Sequence, residues 1–115
     1  LALAFDRAGR LADAQTQYET LVRQQPDNAV ALNELAYLLL KQRKPGALAL
    51  AEKAYGLAPG NANIADTYGW ALVQADQVEK GLRYLREAQV RSPGNPEIEA
   101  HLAEALRRKA GQGGR

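Results

Sequence analysis

The sequence predicts an all-α protein, a solenoid of antiparallel helix pairs with about seven helices, and three observations predict it. Small residues followed three positions later by a large apolar one recur as Ala2/Phe5, Ala36/Leu39, Gly69/Leu72 and Ala103/Leu106, at spacings of 34, 33 and 34 residues. A second small-residue series, Ala14, Ala47 and Gly81, keeps that rhythm, as do Pro26, Pro59 and Pro93. Within each block apolar residues return at three- and four-residue steps, as Leu32, Leu35, Ala36 and Leu39 do, which is the period of an amphipathic helix. One helix pair cannot bury its own apolar face, so a fixed period of this length marks an array whose core is made by stacking.

The elements follow in order within one domain spanning residues 1–115. A partial repeat covers 1–28, with Gly9 at its turn, and is read as the truncated end of a longer array because Leu1, Leu3 and Phe5 suit packing on something before them. The repeat 29–61 holds helices over 30–42 and 45–57. The repeat 62–95 holds helices over 62–75 and 78–91. A half repeat over 96–110 is read as a capping helix, and Gly111-Gln112-Gly113-Gly114-Arg115 as a flexible tail. Pro-Asp-Asn and Pro-Gly-Asn segments stop one helix and start the next. One repeat is a residue short, since Ala36 to Ala47 is 11 where Gly69 to Gly81 is 12. The deletion falls in the turn Lys41-Gln42-Arg43-Lys44-Pro45-Gly46, because a slip inside a helix would rotate every later side chain by about 100°.

These positions resemble the tetratricopeptide repeat (TPR) family. Leu32-Leu35-Ala36-Leu39, Ala65-Tyr68-Gly69-Leu72 and Glu99-Leu102-Ala103-Leu106 fit the first half of its pattern, and Ala14-Tyr18-Pro26 the second. Ala51 stands where the family usually has an aromatic residue, Glu99 where it has a large apolar one, and only Gly9 keeps the common turn glycine. The resemblance implies a right-handed superhelix that binds an extended peptide or a helix on its concave face, and no enzymatic activity.

Composition agrees with a binding module. Of 115 residues 46% are hydrophobic and 24% charged, with a net charge of +2, too small to indicate a nucleic-acid surface. No apolar run approaches the length of a membrane span. The absence of cysteine removes disulfides and thiol chemistry. Catalysis is poorly provided for. The one Ser and the one His, Ser92 and His101, fall on different sides of a helix start, so no nucleophile and base pair is in view. Glu97, His101 and Glu104 share a helix face at i, i+4 and i+7, a spacing that could ligate a metal, but a solvated face with an ion pair is the plainer reading. No catalytic residue, metal or cofactor is assigned. Arg83, Arg86, Arg91, Arg107, Arg108 and Lys109 cluster late in the sequence, as helix C-termini favour through the macrodipole.

The partner-binding groove should lie on the faces of the first helices opposite their Leu/Ala packing face. That places Asn33, Tyr37, Leu40 and Lys41 in one repeat, Asp66, Trp70, Val73 and Gln74 in the next, and Ala100, Glu104, Arg107 and Arg108 in the last. Tyr37 and Trp70 occupy equivalent positions, forming a short aromatic line that either anchors a ligand or pads the contact between neighbouring helices. Family members of the chaperone-binding subclass clamp a carboxylate terminus with Lys and Asn at groove positions. Here those positions read Asn33/Tyr37, Asp66/Trp70 and Ala100/Glu104, which does not make that clamp.

A narrower resemblance is carried by Ala65-Asp66-Thr67-Tyr68-Gly69-Trp70-Ala71-Leu72-Val73, then Gly81-Leu82, Asn95-Pro96-Glu97-Ile98 and His101-Leu102-Ala103. This string resembles the C-terminal repeats of bacterial TPR lipoproteins associated with exopolysaccharide loci and PEP-CTERM sorting. It implies a periplasmic or outer-membrane scaffold, with the cytoplasm as the alternative. Two other functional readings stand beside the protein-binding one: an assembly factor whose aromatic residues stack on glycan, and a homo-oligomer formed through an exposed terminal repeat.

Overall fold

The computed structural model describes residues 2–113, and the side chains of residues 9–112. Among the described residues it has six α-helices and no strand: α1 Ala2–Gln24, α2 Ala29–Lys41, α3 Ala47–Leu57, α4 Ala62–Gln74, α5 Val78–Arg91 and α6 Pro96–Gly113. Consecutive helices pack on one another, and α2 on α4 and α4 on α6 as well. The first helices of successive repeats therefore stand side by side, with the second helices behind them.

Each first helix starts at the same device. Asn28, Asn61 and Asn95 each follow a proline by two residues, and their side-chain oxygens cap the helix. Asn28 Oδ1 accepts from the amide of Ala31 at 3.0 Å, Asn61 Oδ1 from Ile64 at 3.1 Å and Asn95 Oδ1 from Glu97 at 3.0 Å. Each cap satisfies a donor that the first turn leaves unpaired. In α6 the next residue is Pro96, whose missing N–H costs nothing at the first helical position.

The small residues set how closely paired helices approach. Where α4 crosses α5, a Cβ on Gly81 would fall 2.6 Å from the Gly69 carbonyl oxygen and 2.6 Å from Val73 Cγ2. In the preceding pair the same place is taken by Ala36, Ala47 and Ala51, all buried with Leu35, Leu39, Tyr68 and Leu72. Behind them Tyr55, Tyr68 and Tyr84 form a cluster with ring centres 4.6 to 5.4 Å apart. The Tyr55 hydroxyl donates to Glu87 Oε2 at 2.8 Å, joining α3 to α5. Burial first, and that carboxylate second, push the Tyr55 phenol up to about 12.

The shortened turn is visible as a change in helix length. In α5 the small residue Gly81 is the fourth helical residue, whereas its counterpart Ala47 is the first of α3. The missing residue is absorbed by unwinding the start of α3, because non-helical backbone covers about twice the distance per residue that helix does. Pro45 and Gly46, at φ +98°, form that stretch. This is why α3 begins at 47 and not at 45.

The six helices among the described residues are close to the expected seven, the difference being that α1 runs without a break through Gly9. A helical glycine costs only about 1 kcal/mol relative to alanine, so Gly9 allows the helix to continue. At the other end α6 continues to Gly113, past the expected stop at 110, since glycine weakens a helix without forbidding it. The apolar side chains of Leu1, Leu3 and Phe5 lie outside the described residues, as do residues 114 and 115.

Candidate functional site

The faces of α2, α4 and α6 that point away from the second helices form a groove with three zones. Near the helix starts Asn33, Glu34, Tyr37, Asn63, Asp66, Thr67 and Glu97 enclose a cleft of about 220 Å³. In the middle Tyr37, Leu40, Lys41, Trp70, Glu97 and His101 line a pocket of about 150 Å³. Near the helix ends Leu40, Arg43, Lys44, Pro45, Gln74 and Arg108 surround a wider hollow of about 470 Å³. The groove runs from acidic through aromatic to basic. This order matches the helix dipoles, which favour carboxylates at N-termini and cations at C-termini.

Asn33 is only 6% exposed, and its Oδ1 is buried without a hydrogen-bond partner among the described residues. Tyr37 is half-buried with the Lys41 ammonium 5.1 Å from its ring centre. Burial raises the pKa of its phenol, Lys41 opposes that shift and Glu97 adds to it. Leu40 is half-buried and Lys41 exposed. Asp66 is buried on α4, where its Oδ1 lies 2.9 Å from His101 Nδ1 on α6. Beside it Thr67 turns its hydroxyl back onto the Asn63 carbonyl at 3.0 Å.

Trp70 is half-buried and stacked on His101, with ring centres 4.4 Å apart and planes 14° from parallel. The Arg108 guanidinium lies 5.5 Å from the indole centre. Arg108 also donates to Gln74 Oε1 at 3.1 Å and to Glu104 Oε2 at 2.8 Å. Arg107 donates to Glu104 through two nitrogens, and the two arginines lower the Glu104 pKa, with Arg107 the larger influence. Arg107 itself is exposed.

Val73 does not belong to the groove. It is fully buried against Val78, Leu82, Leu85, Leu102 and Ala105. The close approach at Gly81 brings α5 over that side of α4, which the helical spacing of 66, 70 and 73 does not reveal. Ala103, placed by its register among the packing residues, is exposed, as is Leu106 at 42%. The sequence reading also missed Glu34, Asn63 and Thr67 and the placement of Glu97 and His101 in the groove. The signal for His101 was present: Asp66 and His101 are 35 residues apart, one repeat plus one, which sets them on adjacent first helices.

His101 and Glu104, two of the residues whose spacing suggested a metal site, are engaged with Asp66 and with the two arginines. Among the described residues no group of three His, Cys, Asp or Glu is placed to hold a metal ion. No described helix is long and apolar enough to cross a membrane.

Stacked helix pairs with a lined groove define a helical-repeat domain. The family profile of the tetratricopeptide repeat matches residues 1–62, and the chain belongs to that family. A TPR repeat-containing protein of Pseudomonas aeruginosa is 35% identical over 101 residues, covering 86% of this chain. The chain spans 17% of that relative's length. Among solved structures, an O-GlcNAc transferase mutant of Thermobaculum terrenum superposes with a TM-score of 0.78 at 29% identity, over 91% of this chain and 20% of that one. MamA from Desulfovibrio magneticus gives a TM-score of 0.76 at 25% identity, over 94% and 62%. The first TPR of Spaghetti (RPAP3), solved bound to an HSP90 peptide, gives 0.78 at 18% identity, over 93% and 86%. The shared fold is the right-handed α-solenoid of TPR domains.

Proposed function

We propose that this chain is a protein-interaction scaffold that holds an extended peptide or a helix along the groove of α2, α4 and α6. The supporting observation is that Tyr37 and Trp70, from successive first helices, line one pocket open to solvent. Aromatic side chains held this way offer large contact area at little entropic cost, which suits a binding anchor. The Spaghetti domain, solved with a peptide, shares the fold at 18% identity, so the reading rests on this chain's own groove. By resemblance of the 65–73 segment to envelope TPR lipoproteins, the scaffold works in a bacterial envelope assembly, export or exopolysaccharide system, in the periplasm or at the outer membrane.

Capture from a whole-cell extract, with each retained protein assigned to its compartment, tests this. Trp70→Ala and Tyr37→Ala should each lose the retained partner while keeping the helical circular dichroism and a sharp melt. Undiminished capture by both variants overturns the groove assignment. Partners found only among cytoplasmic proteins would overturn the envelope placement and leave the groove intact.

A further inference from the structure

We propose that the basic part of the groove takes an acidic stretch of the bound peptide, holding side-chain carboxylates of aspartate or glutamate on either side of the aromatic pocket. This rests on the peptide-binding reading and names the ligand chemistry of its subsites. Two hollows adjoin the Tyr37/Trp70 pocket, one sharing Lys41 with it and the other Leu40. The first, of about 420 Å³, is lined by Arg10, Leu11, Ala14 and Lys41. The second, of about 470 Å³ at the helix ends, has Arg43, Lys44 and Arg108 around it. Among the described residues no carboxylate lines either one.

These cations are held mainly by neutral groups. The Lys41 ammonium lies 5.1 Å from the Tyr37 ring centre. Lys44 donates to Gln15 Oε1 at 3.1 Å, the oxygen that also accepts from Gln42 Nε2 at 2.8 Å. Arg108 is steadied by Gln74 and the Trp70 ring, and shares Glu104 with Arg107. Lys41, Arg43 and Lys44 have no ion-pair partner among the described residues. A ring or an amide orients a cation without cancelling its charge, which leaves that charge for a ligand carboxylate. Helix dipoles favour cations in a last turn, which covers Lys41 and not Arg10, an interior residue of α1. Arg43 holds φ 56°, where glycine is the less costly residue. One chain terminus would bring a single carboxylate to one place, whereas acidic side chains along an extended segment reach both hollows. A nucleic-acid strand, charged throughout, would run onto Glu34, Asp66 and Glu97 at the other end of the same groove.

The test is selection of random peptides about twelve residues long, displayed on phage without a free carboxyl terminus, against the 115-residue chain, followed by binding measurements on synthetic copies of the winners. The winners should carry aspartate or glutamate on both sides of an apolar residue in a fixed register. Replacing each acidic residue by its amide should weaken binding about three- to fivefold, the scale of an exposed ion pair, and high salt should weaken it as well. Arg43 and Lys44 are exposed, so the double charge reversal Arg43→Glu with Lys44→Glu leaves the core untouched; on reselection it should abolish the acidic preference. Arg43→Gly should weaken binding even though it relieves the left-handed backbone, which separates the loss from unfolding. Winners that need Trp70 but carry no acidic preference, or that tolerate the amides, overturn this proposal and leave the groove reading standing. So does displacement of a winner by an equal concentration of single-stranded DNA, which would make the face a general polyanion surface. If no peptide is enriched this proposal falls, while the groove reading is decided by the capture experiment with the Tyr37 and Trp70 variants.

Discussion

Asp66 and His101 lie 35 residues apart in sequence and 2.9 Å apart in space, an imidazole nitrogen of α6 set against a carboxylate oxygen of α4. The two side chains are 9% and 17% exposed, so the contact is shielded from water. It locks the first helices of neighbouring repeats and holds the imidazole flat against Trp70. Removing either partner leaves the other poorly hydrated. Asp66→Ala and His101→Ala should each cost about 1–3 kcal/mol, and the double variant should cost less than their sum by about 1 kcal/mol. Urea titration followed by circular dichroism measures all three, with a native-state change in Trp70 fluorescence in both single variants. Additive losses would show the pair to be uncoupled.

Much of this architecture was legible because the chain says the same thing several times. Gly69 and Gly81 recur in register with Ala36 and Ala47, and Asn28, Asn61 and Asn95 each follow a proline by two residues, so local signals reinforce one another. What was not legible depends on distances between elements. Val73 reads as a groove residue from helical spacing alone, and only the closeness of the α4 and α5 crossing puts it in the core. The Asp66/His101 bond and the orphan Asn33 oxygen belong to the same class: each needs two first helices placed side by side before it has meaning. The turn expected at Gly9 failed for the opposite reason, since a glycine permits a turn but does not compel one.

Gly81 and Gly56 should answer the same substitution with opposite signs. A methyl group at Gly81 meets backbone and the Val73 side chain at 2.6 Å, a collision that helices can relieve only by moving apart. Overpacking of this kind costs about 1–3 kcal/mol, which outweighs the helix-propensity gain of about 1 kcal/mol. Nothing lies within 4 Å of a methyl group at Gly56. Gly56→Ala should therefore stabilise by about 0.5–1 kcal/mol, and thermal melts of the two variants should move in opposite directions from the parent. A stabilised Gly81→Ala would mean that the crossing is looser than described.

Arg43 and Asp76 end α2 and α4 in the left-handed region, at φ 56° and 65°. Both sit in the same hydrogen-bonded stop, with Lys44 N–H to Leu39 C=O and Gln77 N–H to Leu72 C=O, each at 2.9 Å. The next amide back bonds as well, Arg43 to Leu40 and Asp76 to Val73, both at 3.1 Å. Glycine is the residue this motif prefers, because a Cβ in that conformation costs about 1 kcal/mol. Arg43→Gly should stabilise by about that amount, and Asp76→Gly by less, since aspartate tolerates the left-handed region better than arginine does. Chemical denaturation of the two variants decides it; equal or reversed gains would indicate that the Arg43 side chain contributes something the backbone conformation does not explain.

Tyr55 should make the fold sensitive to alkali. In the folded chain its phenol is raised to about 12 by burial and by the Glu87 carboxylate, whereas an unfolded tyrosine ionises near 10. The folded state therefore keeps a proton that the unfolded state gives up. Linkage then fixes the sign: the contribution is complete below pH 10 and is lost as pH climbs toward 12. Tyr55→Phe should lower stability at neutral pH by about 1 kcal/mol through the lost hydrogen bond. It should also fall less steeply than the parent above pH 10. Other tyrosines and lysines titrate in the same range, so the informative quantity is the difference between the two urea midpoints as pH rises. That difference should shrink through the alkaline range, and parallel curves would show that the Tyr55 proton is not held by the fold.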